Sequence, residues 1–394
     1  MIFSYILNAQ KINAHMNKYL LIPLMGVFIL ILFSGIYLGS SNISQFDFIG
    51  SFINNPDSNQ DAQLNYDLSK FDASEFIDIQ NESDIRQIRD ELIFYIWNAP
   101  PSIIFPTDNL SKTLPTIVEK NIIDERFSSL DNLKKIDKFS IEMKNGVNSI
   151  VYLFHADQSN NELIIYHQGH SGGFINGKPT IDYFLKNGYS VMAFSMPLVG
   201  MNNQPIINVE NFGSIKFFEH EQFQLLESEN FSPMNYFFTP INHSLNYLDL
   251  NYNFKNYYMI GLSGGGWTTT LYPALDTRIS KSFAVSGSLP LPLRINPQDI
   301  GDYEQQNRKF YSIANYLEFY IMSSHGQNRE FVQIFNKFDP CCFSGTLFEL
   351  YESDLHESIS KLNSGSFEII LDDTHKKHEI SKFALKSIFE KIQE

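Results

Sequence analysis

A glycine-rich segment around Ser263 has the residue types and spacing that most clearly predict chemistry. It reads Gly261-Leu262-Ser263-Gly264-Gly265 and directly follows the apolar run Tyr257-Tyr258-Met259-Ile260. Between a strand and a helix, the pattern Gly-x-Ser-x-Gly is typical of a tight bend that presents a serine hydroxyl as a nucleophile. Glycine is expected at Gly261 and Gly265 because side chains there would collide with neighbouring elements. The sequence therefore predicts a serine nucleophile, with a turn of no chemical role as the alternative.

The elements that must position this bend alternate between strands and helices from about residue 136 onwards. Apolar runs predict strands at LIIYHQ, YSVMAFSM, YYMIGLS, SFAVSG, EFVQIFN and SFEIILDD, and a hairpin is predicted around Asn145-Gly146. Helices are predicted near 178–187, over 240–250, at GWTTTLYPAL and at SKFALKSIFEKI, where Ser381 is the predicted N-cap. Unbroken apolar strands that alternate with helices predict a mostly parallel sheet with helices on both faces.

This combination of bend and elements resembles the α/β-hydrolase superfamily over about residues 136–394. The resemblance implies a serine, an acid and a histidine in that chain order, together with two backbone N–H groups that form an oxyanion hole. One of these donors is implied to be Gly264, directly after the serine. The other is implied to be His170, in the glycine-rich loop HQGHSGG that ends a predicted strand. An ordinary strand-to-helix turn with two surface histidines is the alternative for that loop.

The acid that the resemblance implies is expected at Asp339. This residue follows the predicted strand EFVQIFN and precedes Pro340. A buried carboxylate at that place would hold the histidine in one tautomer and stabilise its cationic form. Asp302 and Asp354 are poorer candidates because neither of them ends an apolar run.

The histidine is expected in the loop before the last helix, where both His375 and His378 occur. The run His378-Glu379-Ile380 resembles a His-Glu-Ile run of some esterase and thioesterase relatives, and it directly precedes Ser381. We therefore predict that His378 takes the proton from Ser263. Spacing alone would also allow His375.

Neither a metal site nor a cofactor is expected from the sequence. His167 and His170 lie close together, but no carboxylate accompanies them at the spacing of metal ligands. The chain has two cysteines, Cys341 and Cys342, which excludes a disulfide framework and a cysteine-rich zinc site. We interpret this pair as two small buried hydrophobic residues rather than as a vicinal disulfide or a redox pair.

The N-terminal region contains an uncharged apolar stretch over residues 19–39, and about 20 such residues cross a bilayer as a helix. It predicts a single-pass membrane anchor. A cleaved signal peptide is the alternative, although its apolar region is usually only about 7–15 residues long. Lys11 and Lys18 precede the stretch and no basic residue follows it before Lys70. Residues 1–18 are therefore expected in the cytoplasm and the rest of the chain outside it.

Composition changes along the chain predict the further organisation. Residues 40–80 are rich in Asn, Ser, Asp and Gln and predict a polar stalk. An N-terminal helical extension is predicted over 81–135, with a helix over 84–98 that ends before a Pro-Pro pair. The catalytic domain is expected over 136–394, with 288–325 as a candidate cap.

The overall composition is that of a folded acidic protein. Of its 394 residues, 43% are hydrophobic and 19% are charged, which allows a large core and argues against general disorder. The net charge is −15, and no cluster of Lys and Arg occurs. A nucleic-acid partner is therefore not expected.

The function implied by the resemblance is hydrolysis of a carboxylic ester through an acyl-enzyme on Ser263. Acetyl or other acyl esters of carbohydrates come first as substrates, and other small-molecule or lipid esters are also expected. A peptidase or a lipase of the same fold is an alternative. A catalytically inactive, membrane-tethered binding protein is the non-enzyme alternative, because fold alone does not establish activity.

Overall fold

The computed structural model describes residues 68–394, which form three layers, with one large sheet between two layers of helices. The predicted cytoplasmic segment 1–18, the predicted anchor 19–39 and most of the predicted stalk lie outside the described residues. Among residues 68–394, no helix is long and apolar enough to cross a membrane.

Within residues 68–394, nine strands form the main sheet, and two further strands form a separate hairpin. In chain order they are β1 (Ile117–Ile122), β2 (Leu133–Glu142), β3 (Asn148–Ala156), β4 (Leu163–His167), β5 (Ser190–Phe194), β6 (Ile206–Val209), β7 (Gly213–Lys216), β8 (Tyr257–Leu262), β9 (Ile279–Val285), β10 (Glu330–Asn336) and β11 (Ser366–Asp372). The strand order in the main sheet is β1-β2-β3-β5-β4-β8-β9-β10-β11, and β6 pairs with β7.

The main sheet is mostly parallel, as predicted. The strands β1, β2 and β3 pair antiparallel, and β3 is also antiparallel to β5. From β5 across to β11, every neighbouring pair is parallel. The carboxyl ends of six strands therefore meet at one edge, where parallel sheets place their functional loops.

Helices cover both faces of this sheet. They are α1 (Glu82–Trp97), α2 (Pro101–Ile104), α3 (Lys178–Lys186), α4 (Asn235–Asn251), α5 (Gly264–Leu275), α6 (Tyr303–Gln306), α7 (Arg308–Tyr311), α8 (Tyr316–Ser324), α9 (Glu352–Leu362) and α10 (Lys382–Gln393). The helices predicted from the sequence are confirmed. So is the N-cap at Ser381, whose hydroxyl accepts the N–H of Ala384.

Two hydrophobic cores lie on opposite sides of the sheet. Strand β8 shows how the sequence feeds both, because Met259 enters one core while Tyr258 and Ile260 enter the other. The first core also contains apolar residues of α1, α4, α5, α8 and α9, and the second contains those of α3 and α10. Burial on both faces explains why the parallel strands are unbroken apolar runs.

The folded part begins earlier than the predicted end of the stalk at residue 80. Ala73, Ile77 and Ile79 are buried in the first core, although polar residues surround them in the sequence. The predicted helical extension 81–135 also differs from the structure beyond α1 and α2. It contains β1 and the start of β2, so it contributes the edge of the main sheet.

The region 288–325, predicted as a cap, is divided in the structure: its last part, α8, belongs to the core of the domain. Helix α8 is buried along its whole length and packs against α5, where Ser323 Oγ donates to the carbonyl of Thr270 over 2.6 Å. The preceding residues contain short helical turns and the helices α6 and α7. These preceding residues, rather than α8, lie close to the candidate site.

Candidate active site

The bend at Ser263 is built as its glycines predict. Ser263 lies between β8 and α5 with φ +58°, a left-handed conformation that residues other than glycine rarely adopt. Its N–H donates to the carbonyl of Val285 over 2.9 Å, which ties the bend to β9. A Cβ atom on Gly261 would overlap the carbonyl of Gly265, and one on Gly265 would overlap the carbonyl of His167. The half-buried serine thus has a strained backbone conformation, and the glycines on either side of it pack too closely against backbone to carry a side chain.

The backbone of the loop after β4 lies directly against this serine. A Cβ atom on Gly169 would lie 2.7 Å from Ser263 Cβ and 3.2 Å from Ser263 Oγ. The ring of His170 packs on Gly264, where an added Cβ would overlap the imidazole. Within residues 68–394, the N–H groups of His170 and Gly264 donate to no backbone or side-chain acceptor. The structure therefore brings both predicted donors close to the serine and leaves them unused.

Asp339 and His378 meet in the loops that follow β10 and β11. His378 Nδ1 lies 2.8 Å from Asp339 Oδ2, and the Asp339 side chain is fully buried. The same Oδ2 accepts from Ser286 Oγ over 3.2 Å and from Asn336 Nδ2 over 3.3 Å, while Oδ1 accepts the N–H of Cys341 over 2.9 Å. Burial alone would raise the pKa of Asp339, but the hydrogen bonds from His378 and Cys341 outweigh it and lower that pKa. The carboxylate is therefore ionised wherever an imidazole can act as a base.

His375 belongs to a second, separate histidine–aspartate pair. Its Nε2 lies 3.3 Å from both Asp372 Oδ2 and Asn336 Oδ1, and its Nδ1 accepts the N–H of Lys377 over 3.2 Å. Both ring nitrogens of His375 are thus engaged. By contrast, Nε2 of His378 forms no hydrogen bond within the described part of the chain. The two histidines that spacing could not separate therefore have different surroundings.

Four neighbouring parallel strands place these groups at one edge of the sheet. Ser263 follows β8, Ser286 follows β9, Asp339 follows β10, and His378 follows β11. Because the carboxyl ends of these strands adjoin, Ser286, Asp339 and His378 form one hydrogen-bonded group, and the Ser263 bend is joined to the neighbouring end of β9 through Val285. Asp354, a poorer candidate for the acid, lies instead in the first turn of α9.

A second cluster of charged groups surrounds the His170 side chain. His170 Nε2 lies 3.0 Å from Glu304 Oε1, 3.1 Å from Asp302 Oδ2 and 3.2 Å from His220 Nδ1. His220 Nδ1 lies 3.0 Å from Glu304 Oε2. Burial would lower the pKa of His220, but the Glu304 carboxylate outweighs it and raises that pKa to about 9. Burial would raise the pKa of Glu304, whereas the two histidines lower it.

The argument against a metal site rested on the lack of a carboxylate near His167 and His170 in the sequence. The structure brings two carboxylates from distant positions to the ring of His170, so the lack of a carboxylate nearby in the sequence does not exclude a site here. Asp302 and Glu304 lie more than 130 residues after His170 in the sequence, and His220 is the first residue of a seven-residue 3₁₀ helix, His220–Leu226. Asp302, the other poorer candidate for the acid, lies here and not beside His378.

The cysteine pair also differs from its predicted interpretation. Cys341 and Cys342 form a vicinal disulfide. Cys341 is exposed and Cys342 is half-buried, so the two are not buried hydrophobic residues. Their structural role at the site is the N–H of Cys341, which holds Asp339.

Comparison with known proteins relates the chain to solved structures only. No protein-family model and no curated protein matches the sequence. The chain is similar to the acetyl xylan esterase from Paenibacillus sp. R4, with a TM-score of 0.54 and 14% identity, over 82% of this chain and 98% of that one. For acetyl xylan esterase 1 from Thermoanaerobacterium sp. JW/SL YS485 the TM-score is 0.51 with 14% identity, over 81% and 98% of the two chains. For the methylesterase BT1017 it is 0.53 with 14% identity, over 78% of this chain and 62% of that one.

At these identities the likeness establishes the fold. The chain has an α/β-hydrolase-like fold with a mostly parallel sheet flanked by helices, as the bend and the alternating elements predict.

Proposed function

We propose that this chain is a serine hydrolase that cleaves a carboxylic ester through an acyl-enzyme on Ser263. The observation that carries the proposal is the 2.8 Å contact between His378 Nδ1 and the buried Asp339 carboxylate, at the sheet edge that also holds the Ser263 bend. A histidine that donates Nδ1–H to a carboxylate presents Nε2 as a base. His375 is the weaker candidate because its two ring nitrogens are already engaged.

The proposed reaction has two halves, formation and hydrolysis of the acyl-enzyme, and the same groups act in both. Ser263 Oγ attacks the ester carbonyl carbon while its proton passes to His378 Nε2. The oxyanion that forms accepts hydrogen bonds from the N–H groups of His170 and Gly264, each of which contributes about 3 kcal/mol to the barrier reduction. The alcohol then leaves with the proton from His378, and water repeats the sequence on the acyl-enzyme. Asp339 stays ionised throughout and stabilises the imidazolium.

The substrate class that we propose is an acyl ester of a carbohydrate, with acetyl first. Two of the three similar structures are named acetyl xylan esterases and the third a methylesterase. Acetyl esters carry the sugar on the alcohol side, whereas methyl esters of sugar acids carry it on the acyl side. Release of acetate from acetylated xylan, compared with release of methanol from a methyl-esterified polysaccharide, separates these two arrangements. A panel of p-nitrophenyl esters adds the preferred acyl length, and preference for long chains would favour a lipase instead.

Labelling with a fluorophosphonate probe tests the serine and the histidine together. We expect the folded protein to be labelled and Ser263→Ala not to be labelled. His378→Ala should also lose labelling, whereas the matched variant His375→Ala should keep most of it, with circular dichroism as the check on folding. Labelling that survives in His378→Ala and disappears in His375→Ala would transfer the role to His375. A folded protein that takes no label would favour the inactive binding protein.

We also propose that residues 19–39 tether the chain to a membrane, with residues 40–394 outside the cytoplasm. The support is the uncharged apolar stretch and the lysines before it, Lys11 and Lys18. The vicinal disulfide accords with an oxidising compartment. Alkaline carbonate extraction should leave the full chain in the membrane fraction and release a variant that lacks residues 1–39. Extraction of both forms would contradict the anchor.

A further inference from the structure

We propose that His170, His220, Asp302 and Glu304 bind one zinc ion. One ligand atom from each residue can be chosen so that all four lie within 4.8 Å of one another. Two imidazole nitrogens and two carboxylate oxygens form a donor set that zinc takes in tetrahedral geometry. The proposal does not depend on ester hydrolysis, because it concerns side chains that the proposed reaction does not use.

The spacing of the donor atoms matches a tetrahedral ion. Zinc bonds of roughly 2.0–2.1 Å place two tetrahedral ligand atoms about 3.3 Å apart. His170 Nε2 lies 3.2 Å from His220 Nδ1 and 3.1 Å from Asp302 Oδ2. Each histidine nitrogen lies 3.0 Å from one oxygen of Glu304. The longest of these separations, from His220 Nδ1 to Asp302 Oδ2, is 3.9 Å. The two Glu304 contacts use different oxygens, but one ligand atom from each residue lies within 4.8 Å of the other three, close to the spacing of a zinc-sized tetrahedron.

The second nitrogen of His220 is held as it is in metal-binding histidines. His220 Nε2 lies 2.8 Å from the carbonyl of Pro197, and a carbonyl only accepts hydrogen bonds. Nε2 therefore carries the hydrogen, and in the neutral ring Nδ1 presents its lone pair to the cluster. Metal-ligating histidines almost always donate their other N–H to a carbonyl or carboxylate in this way.

The surroundings of the cluster favour a bound cation. Glu304 is fully buried and His220 is nearly so, and aromatic rings of Phe223 and Phe237 pack on His220. No lysine or arginine among residues 68–394 forms an ion pair with Glu304. The imidazoles of His170 and His220 are the partners that face the buried Glu304 carboxylate, and a zinc ion bound to them would supply positive charge to both acids at once.

The position of the site indicates a structural role. Its four ligands come from three separate segments: the loop after β4, the 3₁₀ helix His220–Leu226, and the start of α6 with its preceding residue. Four protein ligands leave no open position for a reacting water, so the ion would join the three segments rather than take part in a reaction. It would also fix the loop whose His170 N–H is the proposed oxyanion donor, a consequence that does rest on the proposed function.

Zinc titration of the metal-free full chain tests the site. The chain is stripped with a chelator, exchanged into chelator-free buffer and titrated with zinc chloride under non-reducing conditions. Isothermal calorimetry and elemental analysis give the stoichiometry, and thermal unfolding gives Tm. We expect one zinc per chain and a higher Tm, with no comparable effect of magnesium, because imidazole ligands suit zinc and not magnesium. Absence of saturable zinc binding would refute the site, and the cluster would then be a network of hydrogen bonds between the histidines and the acids.

Matched variants assign the ion to these residues. Asp302→Asn removes a ligand whose side chain is 40% exposed, so the metal-free protein should keep its Tm while its zinc affinity falls at least tenfold. Glu221→Gln removes a neighbouring negative charge that is not a ligand and should change the zinc affinity less than twofold. His378 and the two cysteines form another group of candidate ligands, and a double Cys341→Ser, Cys342→Ser variant tests that group. This variant should keep full zinc binding. Loss of zinc in the cysteine variant, or full binding in Asp302→Asn, would overturn the assignment.

Discussion

Replacement of Asp339 by asparagine should abolish most of the activity without unfolding the protein. Three donors other than His378 converge on this carboxylate, namely Ser286 Oγ, Asn336 Nδ2 and the N–H of Cys341. An asparagine has only one acceptor oxygen. If that oxygen stays on Cys341, the amide NH₂ points at His378 Nδ1. The imidazole must then accept at Nδ1 and carry its hydrogen on Nε2, which is the tautomer that cannot remove a proton from Ser263.

The size of the effect follows from the loss of the correct tautomer. In serine hydrolases of this design, an amide in place of the carboxylate lowers kcat about 10⁴-fold, and we expect a loss of 10³ to 10⁴-fold here. The opposite orientation of the amide would leave NH₂ against the N–H of Cys341. Such an unsatisfied buried donor costs about 1–3 kcal/mol, so a fall in stability of that order is also expected.

Steady-state hydrolysis of p-nitrophenyl acetate, with urea unfolding of the same preparations, measures both quantities. Asp354→Asn is the matched control, because Asp354 is an acid that lies in the first turn of α9 and touches none of these groups. It should keep kcat within twofold. A loss of less than tenfold in Asp339→Asn, with the fold intact, would refute the role of Asp339 as the partner of the catalytic histidine.

Two further changes test the end of β4 and the loop that follows it. Gly169→Ala would place a methyl group 2.7 Å from Ser263 Cβ, so kcat for p-nitrophenyl acetate should fall at least 100-fold, whereas Gly146→Ala, with no atom within 4 Å of its added Cβ, should retain kcat. Burial lowers the pKa of His167 to about 4 from 6.5, and the Gln168 carbonyl offsets this only in part. The fold therefore keeps this ring neutral while the unfolded chain takes up a proton, so stability is lost as pH falls from 6.5 to 4, by about 3 kcal/mol in full. Urea unfolding at pH 7 and 4.5 should show a smaller loss for His167→Asn than for the unmodified protein; equal losses would contradict this account.

The central strands and the bend could be predicted because one physical cause produces each pattern. A strand buried on both faces must be apolar throughout, so the run Tyr257–Ile260 is visible in the sequence. The edge strand β1 reads IVEKNI and is mostly exposed, so no such run marks it. Helix α8 falls within the predicted cap over 288–325, although the structure places it in the core. It is buried on all sides and therefore shows no amphipathic period by which a core helix is recognised.

The positions of the site residues after the parallel strands could be predicted from the sequence, but the directions of their side chains could not. Asp339 could be placed because it lies three residues after the end of β10, and the loop of His375 and His378 because it follows β11. The choice between those histidines depends on the direction of each ring, which spacing does not encode. It follows from two buried side chains that sequence reasoning missed, Asn336 and Asp372, both at the last positions of their strands. Polar residues that end buried strands are the signal that could have identified them.

The cluster of His170, His220, Asp302 and Glu304 could not be predicted from the sequence. His170 was assigned for its backbone N–H, yet its ring lies in the cluster with Glu304, so one residue serves two sites through different atoms. His220 and Glu304 lie on short helical turns without a strand or a long helix to fix their register, and their meeting depends on tertiary packing alone. A substitution of His170 that keeps its N–H removes only the ring. Any loss of activity in such a variant would therefore report how the ring anchors the loop, and not the hydrogen bond that the N–H donates.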